Sequence, residues 1–416
     1  MLLVSYHQEK TRLTLFLSNQ KHILLLSLQY YKYILFHKRF ILLIFALLLL
    51  AIFKISITIM SLSYNTIQIE SVSSSKIDRV NFDNLIFGAN FTDHMFTCDY
   101  INGKWENPQI KPYGNLSLSP AAKVFHYGQA IFEGMKAFKD DEGRVFMFRP
   151  QENIKRFNKS SVRLAMPEFP ETLFLDALKA LISLDKEWVK SGFGNALYIR
   201  PFSIATQPGV LASPSDEYKL VILLSPVQSY FSGEVKVEVA EKYSRAADGG
   251  VGAAKAAGNY AAQFYPTNLA VERGFQQVVW TDSREHKYLE EAGTMNVFFR
   301  INDTLITAPT SERILDGVTR KSLIKIAEDM GITVDVRRIS IDEVTEASKN
   351  GSLKEIFGSG TAAVISPISA ISYKGTEYVL PIINEEEKYG NILKQKIMDI
   401  QYNKCEDKYG WRVEVK

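Results

Sequence analysis

Two cysteines in 416 residues, Cys98 and Cys405, are too few for a disulfide framework or a thiolate metal site. Reduced, cytoplasmic chemistry is the default that follows. Histidine is also sparse. Six are scattered along the chain, no pair stands at metal-ligand spacing on a clear helix, and no metal is expected. An excess of one charge is missing too: 49 Lys and Arg face 46 Asp and Glu, for a formal net charge of +3. That balance gives no reason to expect nucleic acid or an acidic polymer as partner. What the chain does have is core material. Hydrophobic residues make up 46% and aromatic residues 12%, which excludes general disorder and is enough to fill two domains of ordinary size.

Acids are nearly absent from residues 1–59, where Glu9 alone faces seven basic residues. The run ILLIFALLLLAIF (41–53) has no charged member, and with Lys54 tolerated the stretch to Met60 is about long enough to cross a bilayer. Basic residues cluster ahead of it, which would send everything that follows outside. No small-residue cleavage pattern marks a secretory signal. Two readings stand: a membrane anchor that gives the N-terminus membrane contact, or a working protein that begins at Met60. The second is preferred. Residues 60–80 then read as a flexible lead-in, 81–226 as a smaller N-terminal domain, 227–234 as a linker and 235–416 as a larger C-terminal domain.

From about Asn81 onward strand-like and helix-like segments alternate. RVFMFRP (144–150), ALYIRPFSI (196–204), KLVILLSPV (219–227), VKVEVA (235–240) and QQVVWTD (276–282) predict strands. Apolar spacing predicts helices over 171–192 and 319–331, each closed by glycine. The mixture fits an α/β (α+β) class.

Four segments carry possible chemistry. In GGVGAAKAAGNYAAQ (249–263), Lys255 lies among glycine and alanine, which leaves room for a cofactor ring beside an amine able to bond covalently to it. The G-x-G-x-x-G dinucleotide spacing is absent there. In YLEEAGTMNVFF (288–299), a carboxylate ahead of Gly293–Thr294 could pair with a pyridinium nitrogen. Gly317–Val318–Thr319 opens a helix whose amides could receive a phosphate. FGSGTA (357–362) could form a turn with exposed amides. Each has a plain alternative: a solvated lysine, an exposed acidic turn, an ordinary capped helix, a simple turn.

Taken in order, these segments closely resemble the branched-chain aminotransferases of the fold-type IV pyridoxal-phosphate enzymes. The resemblance covers about residues 80–410 and includes FGANFTDHMF (87–96), KVFHYGQAIFEGMKAF (123–138), FRPQENIKRF (148–157) and LYIRPF (197–202). It implies a two-domain fold with a pseudobarrel-like larger domain, a homodimer and pyridoxal 5′-phosphate as cofactor. Lys255 would hold the cofactor and move the Cα proton, Glu291 would face the pyridine nitrogen, and Tyr260 would bond the ring's phenolic oxygen. Arg156, Val318, Thr319 and Thr361 would bind the phosphate, and Leu315 would pack on the ring. Thr294 and the turn Thr361–Ala362 would receive the substrate carboxylate. Phe87, Tyr127, Phe132, Tyr198 and Tyr230 would wall an apolar pocket, with Arg200 gripping the distal carboxylate of glutamate or 2-oxoglutarate. The implied donors are leucine, isoleucine and valine.

There are two departures from the pattern. The chain reads AVISPI after FGSGTA (357–362), without the Cys-x-x-Cys of some animal members, and the loop QPGVLASPSDEY (207–218) is unusual, which bears on substrate entry. Three rivals are weaker. EGMKAF, LYIRPF and the aromatic wall argue against a D-amino-acid aminotransferase or an aminodeoxychorismate-lyase-like enzyme. The intact Lys255, Tyr260, Glu291 and Arg156 set argues against a membrane-tethered binding protein without catalysis. The missing dinucleotide fingerprint argues against a nicotinamide-dependent dehydrogenase.

Overall fold

The alternating run VKVEV forms the strand Val235–Val239, with its three valines turned into a core and Lys236 exposed. It sits in the larger of two sheets in a computed structural model that describes residues 67–228, 233 and 235–416. Tyr230 and the hydrophobic run at 41–60 lie outside the described residues. Among the described residues no helix is long and apolar enough to cross a membrane.

Six strands of this sheet close on themselves. The order is Met295–Ile301, Leu353–Gly360, Val364–Tyr373, Val235–Val239, Gln277–Thr281 and Tyr288–Ala292, which pairs back onto the first. Closure leaves those strands without a free edge. Val297, Phe299, Ile356, Ile368 and Ile371 share one apolar cluster with the three valines. The other sheet centres on the long antiparallel pair Ala196–Ala205 and Tyr218–Val227, whose register runs unbroken over ten residues. His94–Ile101 flanks it on one side and Met135–Lys139 on the other.

Where the predicted elements differ from those observed, tertiary contacts are the reason. The helix expected over 171–192 stops at Leu184. Asp185 follows, with its carboxylate accepting hydrogen bonds from the backbone and ring of His94 at 3.1 and 2.6 Å. The last strand, Arg412–Val415, leaves the barrel and pairs with Val145–Phe148 of the other sheet.

The two sheets are joined through a second apolar cluster. It collects Phe138, Ala196 and Val227 from one sheet, Phe298 and Phe357 from the barrel, and Leu323, Ile326, Leu393 and Ile397 from the helices Val318–Asp329 and Tyr389–Gln401. Phe298 and Phe357 are register partners whose rings stack with centroids 5.2 Å apart. Phe298→Ala opens a cavity at this junction, so we expect a loss of roughly 3–5 kcal/mol in stability, read as a lowered denaturant midpoint.

Candidate active site

Strand and helix periodicity bring distant residues to one cavity of about 480 Å³ between the two sheets. On the strand Ala196–Ala205, Tyr198 and Arg200 are two residues apart and share a face. On the helix Pro150–Arg163, Asn153, Arg156 and Ser160 recur at helical spacing and look the same way. On the strand Tyr288–Ala292, neighbouring acids must face opposite sides. Glu291 turns into the cavity, while Glu290 bonds Arg313 on the far side.

Lys255 is fixed by its backbone before its side chain does anything. Its N–H donates to Ser160 Oγ at 2.9 Å, and its carbonyl accepts from the Phe132 N–H at 3.1 Å. Asn259 Nδ2 donates to the carbonyls of Val251 and Ala254, so the preceding loop is closed down. The ammonium group then reaches Tyr260 Oη at 2.7 Å. Tyr260 stands in the first turn of the helix Ala257–Glu272 and meets the Phe132 ring edge-to-face at 4.7 Å. Gly252 does not serve as open space beside Lys255. A Cβ there would come within 2.6 Å of the Arg313 carbonyl oxygen, so this glycine lets two chain segments touch.

In the cavity wall the guanidinium of Arg156 is held by Glu133, with Nε to Oε1 at 2.7 Å and Nη2 to Oε2 at 2.9 Å. Nη1 donates to the Asp316 carbonyl at 3.0 Å. Asn153 Nδ2 and the Gly134 N–H also donate to Glu133. Burial raises the Glu133 pKa, but the charge and hydrogen bonds of Arg156 outweigh it and hold the carboxyl below its ordinary range. Beside Arg156, Gly317 precedes the helix Val318–Asp329 without any side-chain cap, and Val318 and Thr319 line the cavity. The first amides of a helix have no acceptor within it, so this end favours an anion.

Glu291, also in the lining, is buried. Its Oε1 accepts from Asn296 Nδ2 at 3.1 Å and from the Leu315 N–H at 3.3 Å. Its Oε2 lies 2.9 Å from Arg245 Nη1, but the alignment is not that of a hydrogen bond, so the contact is one of charge. Burial pushes the Glu291 pKa up to about 7, against the pull of Arg245. The turn after the strand Leu353–Gly360 adds Thr361 and Ala362 to the lining. Thr361 Oγ1 donates to the Gly134 carbonyl at 3.0 Å, and Lys136 Nζ to the Ala362 carbonyl at 2.7 Å.

Phe87, Phe132, Tyr198, Arg200, Thr294 and Leu315 also line the cavity. Arg200 Nη2 donates to Tyr198 Oη at 2.9 Å and its guanidinium lies 4.8 Å from the Phe132 ring centre. Tyr127 does not line this cavity. It lies on the short helix Lys123–Tyr127, is 41% exposed, and gives its hydroxyl to the Val210 carbonyl. Sequence reasoning missed Glu133, Arg245, Asn296 and Lys136. Glu133 and Lys136 stand within EGMKAF, but nothing in the spacing told which cation or carbonyl each would meet.

A sequence model of amino-transferase class IV matches residues 130–371. The chain belongs to that family. It is 47% identical to branched-chain-amino-acid transaminase 1 of Bacillus subtilis (strain 168) over 337 residues, 79% of this chain and 94% of that one. It is 41% identical to a branched-chain-amino-acid aminotransferase of Mycolicibacterium smegmatis, covering 78% and 90%. Among solved structures, the branched-chain aminotransferase of Thermoproteus uzoniensis with norvaline superposes with a TM-score of 0.64 at 23% identity, covering 78% of this chain and 100% of that one. That of Thermobaculum terrenum (M3 mutant) gives 0.66 at 20%, covering 78% and 98%. These likenesses agree with the barrel and its neighbouring sheet.

In this aminotransferase the Glu133–Arg156 pair is open to a direct test. Glu133→Ala leaves a buried guanidinium without its partner, so we expect roughly 3–5 kcal/mol of lost stability in chemical denaturation. The pair's contribution is full above the ordinary carboxyl value of 4.5 and fades as pH falls through the lower folded value, so parent and variant converge in acid.

Proposed function

We infer that the chain is a branched-chain L-amino acid aminotransferase that passes the amino group of leucine, isoleucine or valine to 2-oxoglutarate, giving glutamate and the 2-oxo acid by ping-pong half-reactions. The observation that carries the reading is that Lys255, Tyr260, Arg156 and Glu291 converge on one cavity in a chain this similar to named branched-chain transaminases. Pyridoxal 5′-phosphate fits that cavity. A lysine amine, an uncapped helix start with a fixed arginine, and a buried carboxylate oxygen without a hydrogen-bond donor would partner its aldehyde, phosphate and ring nitrogen. The cofactor supplies an electrophilic carbonyl and an electron-accepting ring.

The residues of the chain do the rest in this proposal. Lys255 holds the cofactor, takes the proton from the substrate Cα and returns it. Tyr260, 2.7 Å from the lysine nitrogen, bonds the phenolic oxygen and orients the amine. Glu291 keeps the ring nitrogen protonated. Arg156, Val318, Thr319 and Thr361 bind phosphate, and Leu315 packs on the ring. Thr294 and the turn at Thr361–Ala362 receive the substrate carboxylate. Phe87, Phe132 and Tyr198 form an apolar wall for a branched side chain, and Arg200 grips the second carboxylate of glutamate or 2-oxoglutarate.

We assign the described chain to two domains at 81–226 and 235–416, with the last strand crossing over, and we place the protein in the cytoplasm, in keeping with its two free cysteines. Family resemblance favours a homodimer. Large apolar side chains left exposed on the chain, among them Phe125, Val210, Leu211 and Phe264, give a second copy something to cover. Tyr127, bonded to Val210 and away from the cavity of its own chain, then belongs to that surface. Equilibrium sedimentation of the full chain should give twice the chain mass.

The purified full chain should carry a visible absorbance band that L-leucine bleaches and 2-oxoglutarate restores, with D-alanine inert. Lys255→Ala should lose the band and at least ~10²–10⁴-fold in rate. A colourless parent that stays colourless with added pyridoxal phosphate, or a Lys255→Ala variant that turns over leucine normally, overturns the reading.

A further inference from the structure

Arg245 belongs to no motif singled out in the sequence, yet it is the cation nearest to Glu291. Its side chain is 5% exposed, and it touches three things at once. Nη1 lies 2.9 Å from Glu291 Oε2 and donates to the Arg313 carbonyl at 2.8 Å. Nη2 donates to the Gly252 carbonyl at 3.2 Å. Gly252 stands three residues before Lys255, and Arg313 two before Leu315. The two loops therefore meet at Arg245, where the missing side chain of Gly252 lets them close.

We propose that Arg245 is a positioning residue for Glu291, holding its carboxylate charged and in register with the loops that present Lys255 and Leu315. The proposal rests on the reading of Glu291 as the partner of a ring nitrogen.

The other charged groups facing Glu291 cannot take this part. Lys255 gives its amine to Tyr260. Arg320 spends Nη2 on the Ala308 carbonyl and acts on Glu291 only through its charge at longer range. Glu290 repels, and it is turned toward Arg313. Asn296 Nδ2 and the Leu315 N–H serve Oε1 only, so Arg245 is what faces Oε2. A carboxylate this buried is neutral over much of the ordinary pH range unless a cation accompanies it. Glu291 already sits at about 7 with Arg245 in place, so loss of that charge moves it further up.

The test uses the full chain stripped of cofactor and titrated with pyridoxal phosphate across pH by absorbance, alongside thermal melting. In the parent, affinity falls as pH drops through about 7, because Glu291 must shed a proton before it can face a protonated ring. Arg245→Gln keeps an amide donor for the loop carbonyls and deletes the charge. Its midpoint should move up by about one pH unit or more, with affinity at pH 7 down about fivefold or more. Arg245→Lys should return the midpoint to the parent's. A folded Arg245→Gln variant that matches the parent at every pH overturns the proposal. If Arg245→Gln does not fold, Arg245→Lys decides: a parent-like midpoint upholds the role of charge, and a midpoint raised by about a unit overturns it. A parent that binds no pyridoxal phosphate at any pH fails the functional reading itself, an outcome distinct from a parent that binds and a variant that binds alike.

Discussion

The site hangs on a carboxylate that never reaches it. Glu133 is fully buried and receives Arg156 through two hydrogen bonds, Asn153 through a third and the Gly134 amide through a fourth. Its own N–H donates to the Pro201 carbonyl of the central strand. One residue thus locks the helix Pro150–Arg163 against the sheet of Ala196–Ala205, and that helix supplies Ser160 for the backbone of Lys255. The Gly134 carbonyl extends the lock to Thr361 across the cavity. A buried ion pair adds little net stability over an apolar packing of equal volume, but it fixes geometry, because neither charge tolerates being left alone.

The cavity carries both signs of charge. Arg156, an uncapped helix start, Lys255, Tyr260 and the buried Glu291 all line it. The helix start leaves amides without acceptors beside Arg156, and burial raises the Glu291 pKa to about 7. Arg245 restrains that rise from behind. Two buried arginine–carboxylate pairs therefore play different parts. At Glu133 the carboxylate holds the arginine through two hydrogen bonds, and at Glu291 the arginine meets the carboxylate through charge alone.

Close approach limits what can stand at three glycines. A side chain on Gly134 would meet the Tyr198 hydroxyl, one on Gly317 would meet the Asn296 amide oxygen, and one on Gly252 would wedge apart the loops that Arg245 joins. Gly134 and Gly317 sit against the lining residues Tyr198 and Asn296 and set how near each comes to the backbone. The width of the cavity is in this sense a backbone property.

The sequence by itself determined the elements and the chemistry on offer. Alternation and helical spacing placed the strands over 196–204, 219–227, 235–240 and 276–282 and the helix that follows Gly317, because burial of one face is a local pattern. Motif order pointed to Lys255, Tyr260, Glu291 and Arg156, all of which lie on one cavity. Only the tertiary structure decided which charge meets which. Glu133 and Arg156 are 23 residues apart, Arg245 and Glu291 lie 46 apart, and periodicity carries no information about partners at such range. It also decided that 171–192 breaks at Asp185, that Arg412–Val415 joins the far sheet and that Tyr127 points away from the cavity. Those outcomes follow from the need of each buried polar group and each strand edge for a partner, and the partner is found in space, not along the chain.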